Sequence, residues 1–158
     1  MKSVLISIRP EWVEKILAGK KTLEVRKNRP KLEAPFRCYI YCTYNGGHLA
    51  GLKGFLNGTV VAEFTCNRID CVDIPYPAYS GELDKHWMDG SCCTYWQLHR
   101  YFYHDNAYFW HISNLKIYDT PKQLSKFTGL WKTKFGYAPN EVKRPPQSWC
   151  YVEELENG

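Results

Sequence analysis

Gly19-Lys20-Lys21-Thr22-Leu23-Glu24-Val25-Arg26 is the stretch whose reading decides the fold. Ahead of it, Pro10 suits a first helical position, and Trp12, Val13, Ile16 and Leu17 recur at helical spacing over Glu11 to Ala18. Gly19 is a fitting stop, because the residue just past a helix often takes a positive φ. Beyond it Leu23 and Val25 alternate with Thr22, Glu24 and Arg26, as in a half-buried strand. That parity puts Glu24 and Arg26 on one face. Lys21 has the other parity but sits at the turn, where it can swing round. Charges this close beside apolar neighbours either bridge and orient the turn, with Lys21 solvated, or receive a ligand.

Working outward, Val4 to Ile8 reads as a buried opening strand. Phe36 to Tyr44 reads as another, with Cys38, Ile40 and Cys42 on one face and Tyr39 and Tyr41 on the other. Asn45 to Gly58 is glycine-rich and predicts a long flexible connection. Gly58 to Cys66 is the clearest strand and continues, after a bend near Asn67, to Ile74. Pro75 to Gly90 is loop-like, and Cys93 to Tyr103 predicts a helix with Tyr95, Leu98 and Phe102 on one side. Tyr108 to Tyr118 returns to strand character. Thr120-Pro121, with Gln123, Leu124 and Phe127, predicts a short capped helix ending near Gly129. A loose segment then leads to a closing strand, Ser148 to Val152. Strands outnumber helices without βαβ alternation, so the expectation is an α+β, mostly β chain: one domain over residues 1–158, a small β-barrel with peripheral helices.

The 158 residues suffice for one sizeable core, and 44% hydrophobic with 16% aromatic content excludes disorder. The net charge is +5, concentrated in Lys20, Lys21, Arg26, Lys27, Arg29 and Lys31, while Glu153, Glu154 and Glu156 make the end acidic. Such a basic cluster attracts phosphates or serves as a solvated face. Met1-Lys2-Ser3 runs directly into a strand, without a secretory signal, and no apolar stretch is long enough for a bilayer. Seven cysteines, an odd number, then fit reduced thiols in the cytoplasm. They form no C-x-x-C ligand sets. His86, His99 and His104 near Cys92 and Cys93 are the one conceivable zinc group, against the commoner use of cysteine as a small core residue, so neither a metal nor a cofactor is expected.

Gly19, Lys21, Glu24 and Arg26 reproduce the G-x-K-x-x-E-x-R signature of the ASCH domain, a branch of the PUA-like superfamily, and the strand–helix–strand setting resembles that of the family. Gly58 to Glu63 is similar to its central strand, and Tyr108 to Ile112 and Pro146 to Trp149 to its later portions. The resemblance spans most of the chain except an insert at about 75–106. It implies a PUA-like β-barrel with a cleft beside the helix-to-strand turn, and RNA or a nucleotide-like small molecule as partner. Some small bacterial ASCH proteins act as acetylcytidine amidohydrolases. In these a lysine matching Lys21 assists a threonine nucleophile placed where this chain has Glu24, together with a more distant glutamate. Here Lys21 is present and the hydroxyl is not. Thr22 is a substitute nucleophile, and Glu63 and Glu82 are candidates for the distant glutamate.

The candidate site therefore comprises Arg9, Lys21, Glu24, Arg26 and Trp149. In a binding module, the cations hold phosphate or carbonyl groups and a tryptophan (Trp12, Trp110 or Trp149) stacks on a base, each also being a possible core residue. Ser7 to Pro10 and Gln147 to Trp149 are the rims. In an amidohydrolase, Lys21 and Glu24 are catalytic: Glu24 as base on a water, and Lys21 with Arg26 supplying positive charge. A ribonuclease, known among ASCH relatives, ranks last because no histidine pair lies on one element.

Overall fold

The computed structural model describes residues 1–44, 57–76 and 83–156. Their strands are β1 (Lys2–Ile8), β2 (Leu23–Arg26), β3 (Phe36–Cys42), β4 (Thr59–Val72), β5 (Ala107–Lys122), β6 (Thr128–Thr133), β7 (Gly136–Glu141) and β8 (Trp149–Glu153), and the helices are α1 (Pro10–Leu17), α2 (Lys85–Ser91) and α3 (Tyr95–Phe102). All eight strands form one sheet in the order β2-β5-β4-β3-β1-β8-β6-β7. The architecture is the α+β, mostly β one that the sequence predicts. The barrel, however, is not closed, since the end strands β2 and β7 do not pair with each other.

β1 organises the sheet, pairing in parallel with β3 and antiparallel with β8. Its residues Ser3 to Ile8 are all buried, which is why its sequence reads as a nearly unbroken apolar run. The two-residue period of the strand divides these side chains between two cores. Val4, Ile6 and Ile8 pack with Cys38, Ile40, Phe64 and Trp110, and α1 lays Val13 and Ile16 on this side. Leu5 points the other way, to Tyr39, Tyr41, Val60, Phe127 and Val152. The expected bend near Asn67 is a register shift between Cys66 and Ile69 in the β4–β5 ladder, a bulge that turns a long strand.

The described residues between 75 and 106 hold more regular structure than the sequence suggests. Within the stretch read as loop lies α2, whose N-cap Asp84 accepts the His86 amide; the helix is too short for an apolar stripe to advertise it. α3 is where the periodicity places it. Thr94 and Gln97 close a capping box at its start, and Tyr95, Leu98 and Phe102 bury against Leu23 and Phe109 in a third core. Two further expectations are corrected. The Thr120-Pro121 helix is absent: β5 runs on to Lys122, followed by a three-residue 3-10 turn, Leu124–Lys126. The loose segment after Gly129 is instead the β6–β7 hairpin. The predicted connection after Tyr44 lies mostly outside the described residues, as does Glu82.

Burial gives the cysteines a testable property. All seven are free, and the described residues bring no three His, Cys, Asp or Glu side chains together as a metal site, so the grouping around Cys92 and Cys93 does not form. Burial pushes the Cys42, Cys66 and Cys150 thiols from 9.0 up to about 11 each. These thiols stay neutral in the folded chain over a range where the unfolded chain has released their protons. Stability is therefore full below pH 9 and falls as the pH rises from 9 to about 11, by at most about 1.4 kcal/mol per thiol per pH unit, and less for the partly exposed Cys150. Urea midpoints measured from pH 7 to 11 are expected to drop steadily above 9; a flat profile contradicts the assignment.

Candidate functional site

The opening octapeptide works first through its backbone. Lys20 N–H reaches back to the Lys15 carbonyl (2.9 Å) and Gly19 N–H to the Ile16 carbonyl (3.0 Å), while Gly19 takes φ +75°. This is the Schellman termination of α1, with glycine at the left-handed position. It turns the chain directly into β2, where Glu24 pairs with Trp110 and Arg26 with Tyr108 of β5.

Lys21 does swing round, but not into water. It is 2% exposed, and its Nζ donates to the Ser91 carbonyl at 2.8 Å and stands 5.1 Å from the centroid of the Trp12 ring. Ser91 is the last residue of α2, so the ammonium meets the negative end of that helix. The neighbouring Thr22 amide donates to Gly90 O (2.8 Å), fixing the same junction. Lys21 is thus both a wall of the cleft and a tie holding the end of α2 to the turn before β2. Sequence reading missed this because α2 carries no visible helical signal.

Glu24 and Arg26 share a face, as strand parity predicts. Arg26 Nε lies 3.3 Å from Glu24 Oε1, and the guanidinium also donates to the Ser7 carbonyl (2.8 Å) and to Ser148 Oγ (3.0 Å). Glu24 is 5% exposed, and its Oε2 is buried with no hydrogen-bond partner among the described residues. A carboxylate oxygen in that state is costly unless something supplies a donor.

Above this floor opens a cleft of about 850 Å³. Trp12, Leu98 and Tyr101 give it apolar walls, and Arg9, Lys27 and Arg100 stand on its rim. Among its described lining residues Glu24 is the one carboxylate, against five basic side chains, and there is no histidine. α3 and the residue just before its cap contribute Cys93, Gln97, Leu98, Arg100 and Tyr101. Four of the five candidate residues, Arg9, Lys21, Glu24 and Arg26, converge here. Trp149 does not line the cleft. Its ring packs edge-on to Trp110 (6.2 Å) and its Nε1 donates to Asn28 Oδ1 (2.8 Å); Trp12 is the tryptophan in the cleft. Of the other candidates, Trp110 is fully buried, Thr22 is exposed outside the cleft, and Glu63 accepts from Tyr118 on the far side of the sheet. The hydroxyl of Ser7, also in the cleft, is committed to the Pro146 carbonyl (2.6 Å).

The family model for the ASCH domain matches residues 6–85, from the end of β1 to the first residue of α2. No curated protein matches the chain significantly in sequence. Among solved structures, the chain is similar to the crystal structure of ASCH from Zymomonas mobilis at 18% identity, covering 96% of this chain and 88% of that one, with a TM-score of 0.60. A tyrosine-to-phenylalanine variant of the same bacterial protein gives 18% identity, 98% and 92% coverage, and a TM-score of 0.61. At such identity the likeness is one of fold. The family model covers half of the chain and contains the whole signature with its strand–helix–strand frame, and on that match the chain belongs to the ASCH domain family of the PUA-like superfamily.

Proposed function

We propose that the cleft binds a nucleobase carrying an amino group, presented by RNA or as a modified nucleoside. The observation that carries this reading is the buried, partnerless Oε2 of Glu24 on a floor otherwise lined with cations. A carboxylate there recognises N–H donors, and the amino group of cytosine is the usual match. Trp12 and Tyr101 put aromatic rings in the cleft, where a base would compete with the ammonium groups of Lys21 and Lys27, each 5.1 Å from a ring centroid, and Arg9, Lys27 and Arg100 supply charge for phosphates at the rim.

The test compares cytidine with uridine by calorimetry. A tenfold or greater preference for cytidine is expected, since a good base contact discriminates by about 1–3 kcal/mol. Glu24→Gln, which keeps the size and removes the charge, is expected to abolish the preference. Equal binding of both nucleosides by the unaltered protein, with no change in the variant, rules the reading out.

The same oxygen supports a hydrolytic version. Water attacks the acetyl carbon of N4-acetylcytidine, Glu24 takes the water's proton and passes it to the exocyclic nitrogen as the C–N bond breaks, giving acetate and cytidine. Lys21 and Arg26 then supply positive charge near the developing oxyanion. Acetate release that disappears in Glu24→Gln marks the enzyme; tight binding without release marks the binding module.

A further inference from the structure

We propose that the cleft is the first station of a track for single-stranded RNA several nucleotides long, running beside β8 to the β6–β7 hairpin. The inference rests on the base-binding reading of the cleft and deepens it, since it selects a polymer over a free nucleoside. Ser148, which holds the Arg26 guanidinium, is followed at once by Trp149 and Tyr151, on one face of β8. Their rings lie 5.3 Å apart, and Tyr151 is 5.6 Å from Tyr137 on β7. These rings pack edge to face against the first core, outside the cleft, and lead to the hairpin, where Tyr137 and Phe135 are exposed.

Positive charge follows the same path. The loop carrying the exposed Arg29 and Lys31 lies over this series, its Lys31 amide donating to Tyr151 Oη at 2.8 Å, and Lys2 Nζ sits 3.3 Å from the centroid of Tyr137. Lys132 is the cross-strand partner of Tyr137 and so shares its face. At the tip Phe135 is 98% exposed, next to Lys134. The turn presenting it is built: Thr133 Oγ1 donates to Gly136 O (2.7 Å) and accepts the Phe135 amide (3.2 Å), and Gly136 takes φ +106°. The same face also carries two carboxylates, Glu153 directly across from Lys2 and Glu141 at the far end of the hairpin, so the net positive charge is concentrated on the 29–31 loop and the hairpin tip. Alternating rings and cations over such a distance match a backbone of phosphates with exposed bases. An anionic membrane is a poorer fit, because a single fully exposed phenylalanine is not an apolar face.

The experiment measures the affinity of the full chain for cytidine and for cytidine-containing RNA of three and nine nucleotides, with and without Lys132→Ala/Lys134→Ala/Phe135→Ala. These side chains are exposed, so the triple variant is expected to fold normally, which its melting curve checks. The nonamer is expected to bind at least about tenfold tighter than the trimer. The triple variant is expected to lose that gain, to leave cytidine binding unchanged, and to make the log–log salt dependence shallower by about 1.4 for two lost phosphate contacts. A nonamer bound no better than a trimer, or equally well by the variant, overturns the track while cytidine binding still upholds the cleft. Nonamer binding that needs the hairpin, with no affinity for cytidine, upholds the track and removes the cleft reading. Hairpin-dependent binding to phosphatidylserine vesicles with RNA affinity untouched overturns the track in favour of a membrane surface.

Discussion

Arg26→Ala is expected to destabilise the protein by about 3–5 kcal/mol, the cost of leaving a buried charge without its partner. Glu24 and Arg26 side chains are 7% and 12% exposed, and the guanidinium is the cation in contact with the Glu24 carboxylate. Its other two contacts tie β2 to Ser7 at the end of β1 and to Ser148 at the entry to β8. Alanine therefore abandons a carboxylate and unfastens two segments at once. Two further variants separate these effects. Arg26→Lys keeps the charge but cannot donate to both Ser7 O and Ser148 Oγ while staying beside the Glu24 carboxylate, so it is expected to recover only part of the loss. Glu24→Gln/Arg26→Ala removes the stranded charge and is expected to be less destabilised than the sum of its single variants. Denaturant titrations of the four proteins give the coupling directly; an Arg26→Ala cost below about 1 kcal/mol means that the pair is solvated rather than buried.

How far such a site is legible in sequence depends on whether its causes are local. Gly19 ends α1 by a backbone rule that needs nothing beyond its neighbours, and Glu24 and Arg26 share a face because strand side chains alternate. Both are accordingly visible in the octapeptide. The position of Lys21 is not, because its partner, the Ser91 carbonyl, is 70 residues away on a seven-residue helix. The β6–β7 hairpin escapes for a different reason. Most of its residues are exposed, so neither face is selected for apolar residues and no alternation marks it. Trp149 shows the limit of reading by adjacency. It does follow the residue that holds Arg26, yet strand parity turns its ring toward Trp110 and Tyr151 and out of the cleft. Closure of the sheet is a global property, and the strand count left it open: eight strands pair in sequence-distant order and still leave β2 and β7 as edges.

The double duty of Lys21 makes Lys21→Met the most informative single change in the cleft. Methionine retains an apolar stem against Trp12 while removing the ammonium, so lost charge is separated from lost packing. The Ser91 carbonyl then faces a thioether in a buried setting, and a stability loss of about 1.5–3 kcal/mol is expected, the range for a hydrogen bond to a charged group. The junction of α2 and α3 carries that loss, so amide exchange should accelerate at Ser91 to Thr94 before it does in β1 or β3. Ligand affinity is expected to fall about tenfold or more, because the remaining floor cation, Arg26, is already committed to Glu24, Ser7 and Ser148. A structural role by itself predicts the exchange effect and the stability loss but an unaltered salt dependence. A phosphate contact made by Lys21 predicts in addition a log–log salt slope for RNA shallower by about 0.7. Lys21→Arg decides the remaining case: restored affinity with residual instability shows that the cleft needs the charge while the carbonyl of Ser91 needs the shape of lysine.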